Sequence, residues 1–349
     1  LKDKKGQTEQ VIGIPENAKL TNFSWSPDQT KIALTNTTSE GVELWLLTLK
    51  TGYVTKLTAP ELNANIGSAI TWNTDSQLMF VKMLSPNKQP LIDTKSVVPN
   101  GPTVSTNFGA KAQNRTYQDL LKNKFDEHNF EQLSTSTIFK VSINGESEKW
   151  LDEAMYRGIS LSPDGKYVMV TQLKKPFSYL VTYSRFPSQT DIYTNKGELV
   201  TNLLDTPLIE ELPKGRMSTR TGKRSYSWRP DQPSTLIYVQ ALDQGDPAIK
   251  IEYRDEVFEI AAPFNGEGKS LVKTINRFSG IDWGTESLAI AYDYWWDTRN
   301  RKAYAFNPSN PESKPKTIYD RNYQDVYNDP GSFLKSRNSF NRSVLQIYK

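Results

Sequence analysis

A short aromatic strand that runs into a Pro/Asp or Asp/Gly turn and then into a β-branched strand recurs along this chain. The first copy, FSWSPDQTKIALTN at 23–36, is followed by VELWLLTLKTG and YVTKLT, giving four strand-length runs separated by turn residues. Further copies are AITWNTDSQLMFVKM around Trp72, GISLSPDGKYVMVTQL with Leu161 in the Trp position, YSWRPDQPSTLIYVQAL around Trp228 and GIDWGTESLAIAYDYWW around Trp283. Pro27 and Pro163 preset φ for the second turn position, Asp28 and Asp164 bond the local backbone, and Gly165 accepts positive φ. One such sheet is too small to make a core. The bulky residue before each turn is therefore expected to lie buried between neighbouring sheets, which is how propeller blades hide their apolar faces. A sandwich of scattered hairpins is the alternative, but sandwiches rarely repeat one turn motif. The expected fold class is all-β, a β-propeller of four-stranded blades: five recognisable, part of a sixth, and about seven in a full protein.

The anchors at 25, 72, 161, 228 and 283 are unevenly spaced, and the widest gap holds an insertion into the second blade at 85–134. Its first part, PNKQPLIDTKSVVPNGPTVSTNFG, is rich in Pro, Asn, Ser and Thr and reads as an irregular loop. Its second part, RTYQDLLKNKFDEHNFEQL, spaces Tyr117, Leu120, Leu121, Phe125 and Phe130 for one or two short helices. A long ordered excursion of this kind often reaches over a neighbour or a substrate. After the fifth copy, RNYQDVYNDPG is a turn-rich connection, and SFLKSRNSFNRSVLQIYK reads as the opening strands of a sixth blade left unfinished. An open flank of that kind predicts a chain that continues beyond Lys349, so the domain 1–349 is expected to be an incomplete propeller.

Chemistry is constrained by what the chain lacks. It has one histidine and no cysteine. Serine hydrolysis needs a nucleophile, an imidazole base and an orienting carboxylate. His128 sits among Asp126, Glu127 and Asn129, a solvated helix position, and no G-x-S-x-G elbow occurs, so no catalytic residue is assigned. One His and no Cys leave only oxygen ligands for a metal, and neither a calcium loop nor a phosphate-cradling loop is present, so no metal or cofactor is expected. Glu210 with Glu211, or Asp282 with Asp293, would suit a propeller glycosidase, although such carboxylates are mostly solvated surface. The net charge of +4 is interleaved along the chain, which argues against nucleic acid as a partner. No apolar run approaches the roughly 18 residues that cross a bilayer, so no membrane span is expected. The polar start LKDKKGQTEQ without Met is compatible with a removed leader, which points to a periplasmic or extracytoplasmic site.

Four long strings, GPTVSTNFGAKAQNRTYQDLLKNKFDEHNFE, KKPFSYLVTYSRFP, WRPDQPSTLIYVQALDQGDP and DRNYQDVYNDPG, resemble the N-terminal β-propeller of glutamyl endopeptidase-like serine peptidases in the prolyl oligopeptidase superfamily, a group that is also dipeptidyl peptidase-like. The resemblance runs from about Leu20 to Gly331. It implies a propeller that gates access and helps bind a peptide substrate, partnered by its own C-terminal α/β-hydrolase domain carrying Ser, Asp and His, a domain absent from this chain. In isolation the chain is then not an enzyme. Cleavage after Glu, the preference of that branch, calls for cationic groups near the substrate carboxylate. The basic and aromatic candidates within the strings are Arg115 and Tyr117, Tyr183 and Arg185, and Arg299 in WWDTR. Each has a structural alternative, such as Arg115 tied to Asp119 or Arg321 tied to Asp325, and Gly245, Asp246 and Pro247 read as a turn. A stretch that usually resembles EALDGGDP reads QALDQGDP, with Gln240 and Gln244 replacing an acid and a glycine, which puts Glu preference in doubt. A free-standing protein-binding propeller in the periplasm is the alternative function, with a propeller glycosidase behind it.

Overall fold

In the computed structural model, residues 5–93 and 117–348 are described, and they form two compact units. The first holds 5–93, Tyr117–Leu161 and Tyr167–Leu208; the second holds Ser162–Lys166 and 209–348. The fold is that of a β-propeller made of four-stranded antiparallel blades.

Blade 1 comprises β1 (Leu20–Trp25), β2 (Lys31–Thr37), β3 (Val42–Thr48) and β4 (Tyr53–Lys56), hydrogen-bonded in that order. Blade 2 comprises β5 (Ile70–Trp72), β6 (Leu78–Leu84), then α1 (Lys124–Ser134) within the excursion, β7 (Ser136–Ser142) and the first half of β8 (Ser147–Leu161). The 15-residue β8 pairs with β7 over Ser147–Ala154 and with β9 (Tyr167–Leu173) over Met155–Leu161. One strand thus ends blade 2 and begins blade 3, which continues through β9, β10 (Ser188–Thr194) and β11 (Leu199–Thr206). In the second unit, blade 4 is β12 (Arg224–Trp228), β13 (Thr235–Ala241), β14 (Asp255–Ala261) and β15 (Lys269–Thr274). Blade 5 is β16 (Arg277–Thr285), β17 (Leu288–Trp295), β18 (Asn300–Phe306) and β19 (Lys316–Asn322), followed by the pair β20 (Lys335–Arg337) and β21 (Ser343–Leu345).

Strand periodicity of two decides which blade each side chain meets. On β6, Met79, Val81 and Met83 join Ala33, Leu44, Leu46 and Trp72 in the core between blades 1 and 2. Phe80, between them, joins Ile138, Trp150, Leu161 and Val168 in the core between blades 2 and 3. The core between blades 4 and 5 combines Ile237, Val239, Val257 and Leu271 with Trp283, Ala289 and Phe306. Both faces of the middle strands are buried, so they read as continuous apolar runs.

The repeated turns are stapled locally and then to each other. Ser26 Oγ donates to Asp28 (2.6 Å), Asn73 Nδ2 to Asp75 (2.7 Å), Ser162 Oγ to Asp164 (2.7 Å) and Arg229 Nη2 to Asp231 (2.6 Å). Gln29, Ser76 and Gly165 occupy the same turn position with φ of 59°, 59° and 72°, which only Gly165 adopts without a Cβ penalty. Within the first unit the Asp28 backbone N–H donates to Ser76 Oγ (3.1 Å); within the second, Ser234 Oγ donates to Asp164 (2.8 Å) and Asn338 Nδ2 to the Pro230 carbonyl (2.8 Å).

The expectation that every residue before a turn is buried fails at blade 1. Trp72, Leu161 and Trp283 are buried, whereas Trp25 is 54% exposed and Trp228 is half-buried. The buried three pack on the preceding blade of their own unit; Trp25 and Trp228 begin their units and have no such neighbour there. The expected helical run also contracts: Phe125 and Phe130 lie on α1, while Tyr117, Leu120 and Leu121 precede it in irregular chain that bends at 118–119. No helix among the described residues is long and apolar enough to cross a membrane.

Lys82 breaks the apolar pattern. It is 2% exposed and donates from Nζ to the Ile66 and Tyr156 carbonyls, and no carboxylate pairs with it among the described residues. Burial holds its ammonium at about 8, below the usual 10.5. Between those values the unfolded chain binds more protons than the folded one, so stability should rise with pH there, by about 3 kcal/mol in all. Urea denaturation between about pH 8 and 9.5, below the tyrosine range, should show the rise in the natural chain and lose it in Lys82→Met; an equal rise in the variant would contradict the assignment.

Candidate functional site

Two of the candidate tyrosines and Arg185 come together in the first unit, on the excursion between β6 and β7 and on the β9–β10 connection. The helix α1 is fixed at both ends. Asn123 Oδ1 accepts from the Phe125 and Asp126 backbone N–H groups (2.9 Å each), with Asp126 and Glu127 in the first turn, where carboxylates favour the positive end of the helix. At the other end the Asn63 side chain donates to the Leu133 and Thr135 carbonyls (3.0 and 2.8 Å), and Asn65 donates to the Leu133 carbonyl (3.0 Å). These carbonyls have no intrahelical partner, so amides from a distant segment satisfy them.

The string KKPFSYLVTYSRFP packs on this helix through three kinds of contact. Phe130 meets Phe177 and Phe186 edge-on at centroid distances of 5.1 and 5.6 Å, above a core of Ile66, Met155, Leu173 and Val181. Tyr179 Oη donates to Glu127 (2.6 Å), and Lys175 pairs with Glu131 (2.7 Å). Burial, then the hydrogen bond to Glu127, push the Tyr179 hydroxyl up to about 12. Burial works against ionisation of Glu127, but the Tyr179 and Lys124 hydrogen bonds outweigh it and hold the carboxyl below its usual range. The connection then turns through Tyr183–Arg185, a single 3-10 turn, which leaves Tyr183 exposed beside Phe130 (6.2 Å) and carries the Arg185 guanidinium over the Tyr117 ring (5.6 Å). An exposed tyrosine and a cation laid on an aromatic ring suit a peptide's backbone and side chains. Arg115 lies outside the described residues, and so does its expected tie to Asp119. His128 Nε2 faces the Pro90 carbonyl (3.1 Å).

Arg299 stands in the second unit, at the β17–β18 hairpin. It adopts φ of +56°, donates to the Trp296 carbonyl and lays its guanidinium 4.2 Å from the Trp296 ring centroid. The neighbouring QALDQGDP string forms the β13–β14 connection. Gln244, where the resemblance led to an expected glycine, takes φ of +56°, a conformation that glycine adopts without a Cβ penalty. Gly245 has φ of +77°, and a Cβ there would stand 2.0 Å from the Thr219 carbonyl, so only glycine fits. Asp243, fully buried, accepts from Gly245 N and from Arg254 and Arg277.

Other expectations are corrected. Arg321 donates to the backbone carbonyl of Asp325 and pairs with the carboxylate of Asp329 (3.3 Å) rather than with that of Asp325. Asp282 and Asp293 do not converge on a catalytic pair: Asp282 accepts from Lys335 and Tyr292, while buried Asp293 accepts from Asn276 and Tyr304. Sequence reasoning missed Glu127, Glu131, Tyr179 and the Asn63/Asn65 pair, whose partners lie dozens of residues away. The Trp-Trp dipeptide beside Arg299 was a readable signal for cation stacking.

No protein-family model matches the chain. Two solved structures with TM-scores of 0.50 share its fold: a prolyl endopeptidase (13% identity, 95% of this chain and 39% of that one) and the oligogalacturonate lyase of Vibrio parahaemolyticus (11% identity, 88% and 68%). By fold, then, the chain is a β-propeller of a kind found with different activities. Its sequence is more specific. It is 34% identical to the probable chloroplastic glutamyl endopeptidase of Oryza sativa subsp. japonica over 99% of its length, and 32% identical to that of Arabidopsis thaliana over 98%. The chain spans 38% and 36% of those proteins. It is a β-propeller homologous along its whole length to glutamyl endopeptidase-like proteins, as the four strings indicate.

Asn63→Ala should cost about 1–3 kcal/mol by leaving the half-buried Thr135 carbonyl without its Asn63 donor, while Asn65 still serves the Leu133 carbonyl. Hydrogen exchange should quicken in 124–134 and leave β13 unchanged; uniform quickening, or none in α1, would contradict the capping role.

Proposed function

We propose that this chain is the non-catalytic, substrate-admitting part of a serine peptidase of the prolyl oligopeptidase superfamily. The chemistry would come from an α/β-hydrolase domain with Ser, Asp and His, to which the chain would present its peptide-binding side chains. The observation that carries this reading is positional. Tyr117, Tyr183, Arg185 and Arg299 all lie on connections between the second and third strands of their blades, whereas the connections between first and second strands are the short stapled turns. The match along nearly all of this chain to parts of proteins named glutamyl endopeptidase supports the peptidase context. The single histidine, engaged with a backbone carbonyl, supports placing the proton transfer elsewhere.

Substrate would meet a rigid aromatic base, Phe130, Phe177 and Phe186, that holds Tyr183 and Arg185 in place, so little ordering entropy is lost on binding. Fluorescence anisotropy with a labelled unstructured peptide should detect binding by the purified chain, weakened about tenfold, or 1.4 kcal/mol, in Tyr183→Ala with Arg185→Ala. The same chain should not hydrolyse Glu-containing chromogenic peptides. Turnover that co-purifies with the chain, or binding indifferent to both substitutions, would sink the proposal.

A further inference from the structure

Within the second unit, the core between blades 4 and 5 gives way to a cleft of about 570 Å³. Strand alternation produces it. One row of β13 runs Val239, Ile237, Thr235 and the facing row of β14 runs Val257, Glu259, Ala261. The apolar core takes Val239, Ile237 and Val257, and the cleft takes Thr235, Glu259 and Ala261. Arg229, 4% exposed, forms the floor. Its guanidinium lies 4.1 Å from the Trp283 ring centroid and pairs with Asp231 (2.6 Å) and with Glu259. Lys269 extends this chain of alternating charge, 3.7 Å from Glu259 and 3.5 Å from the Pro308 carbonyl. The floor is therefore electrically balanced.

The rest of the polar lining is not. Thr235 is 9% exposed, and its hydroxyl makes no hydrogen bond among the described residues, although a buried hydroxyl left unpaired is costly. Glu267, from the β14–β15 connection, and Glu286, from the β16–β17 turn, are exposed and form no ion pair among the described residues. The segments that carry these two glutamates are held in place. Buried Phe264 meets Trp228 edge-on at 5.7 Å, and Ser309 donates from N and Oγ to the Glu286 carbonyl (3.1 and 2.7 Å). Ile260, Ala261 and Pro308 supply apolar wall between the polar groups.

We propose that this cleft is a site for alkylammonium groups, taking either a free linear diamine or a lysine side chain. The methylenes of such a ligand would lie along the apolar wall, while its N–H groups, which can only donate, meet acceptors in Thr235, Glu267 and Glu286. An anionic ligand would face two uncompensated carboxylates. The site goes beyond the proposed function and does not depend on it: Thr235 and Ala261 stand at the ends of β13 and β14 remote from the β13–β14 connection.

Isothermal titration calorimetry of the purified chain tests the site at neutral pH, where alkylamines are charged. The probes are cadaverine with two ammonium groups, Nα-acetyl-lysinamide with one on a similar stem, and Nα-acetylnorleucinamide with none. One or both ammonium probes should bind, more weakly as salt rises, and the tighter one names the source. The norleucine probe should not bind. Glu267→Gln combined with Glu286→Gln, both exposed and outside the buried ion pairs, should weaken binding about tenfold, as should Thr235→Val. Loss in only one of these variants places the ammonium at the mouth or at the floor. Near-ultraviolet circular dichroism verifies that both keep the fold. The site is refuted if neither ammonium probe binds, if the norleucine probe binds equally, or if both variants bind like the natural chain.

Discussion

A four-stranded sheet with strands of about seven residues has two faces and cannot cover either by itself. Everything in this chain follows from meeting that constraint by lateral stacking. Alternate residues of β6 serve two different cores, Met79, Val81 and Met83 on one side and Phe80 on the other. The joint β8 removes a connection altogether between blades 2 and 3, and the turn staples at Asp28 and Asp164 tie neighbouring turns together within each unit. Lys82 is the exception on a face that packing would otherwise make apolar, and among the described residues its ammonium meets the Ile66 and Tyr156 carbonyls and no carboxylate.

Stacking also separates short stapled connections from elaborated ones along each blade. The first-to-second strand turns are short because they must approach the next blade's turn, which leaves little room for variation. The second-to-third strand connections bear no such restriction. They hold α1, the aromatic shelf under Tyr183 and Arg185, and the arginine–tryptophan stacks of Trp295 and Trp296. Each is rigid for its own reason: in-trans capping by Asn63 and Asn65, ring packing on Phe130, or buried aspartates beneath the guanidiniums. Loops held on a scaffold in this way are where binding residues concentrate.

The blades were legible because turn chemistry repeats: Ser/Asn/Arg, then Pro or Thr, then Asp predicts the staple at Ser26, Asn73, Ser162 and Arg229 alike. The exposure of Trp25 was not legible, since burial depends on a neighbour rather than on the motif. Helical spacing extended too far toward Tyr117 because Asn123, a strong capping residue, starts the helix where periodicity alone sees no break. For the site, the strings that carry Tyr117, Tyr183, Arg185 and Arg299 could be read. Their mutual contacts could not, because Glu127–Tyr179 and Arg185–Tyr117 join residues 52 and 68 positions apart.

The proposed function rests on peptide meeting the second-to-third strand connections within each unit. Photocrosslinking with a benzophenone-bearing unstructured peptide, followed by mass-spectrometric mapping, tests it most directly. Crosslinks should concentrate in 117–135, 174–187, 242–254 and 295–300. Crosslinks centred instead on the stapled turns at 26–31, 73–77, 162–166 and 229–234 would contradict it.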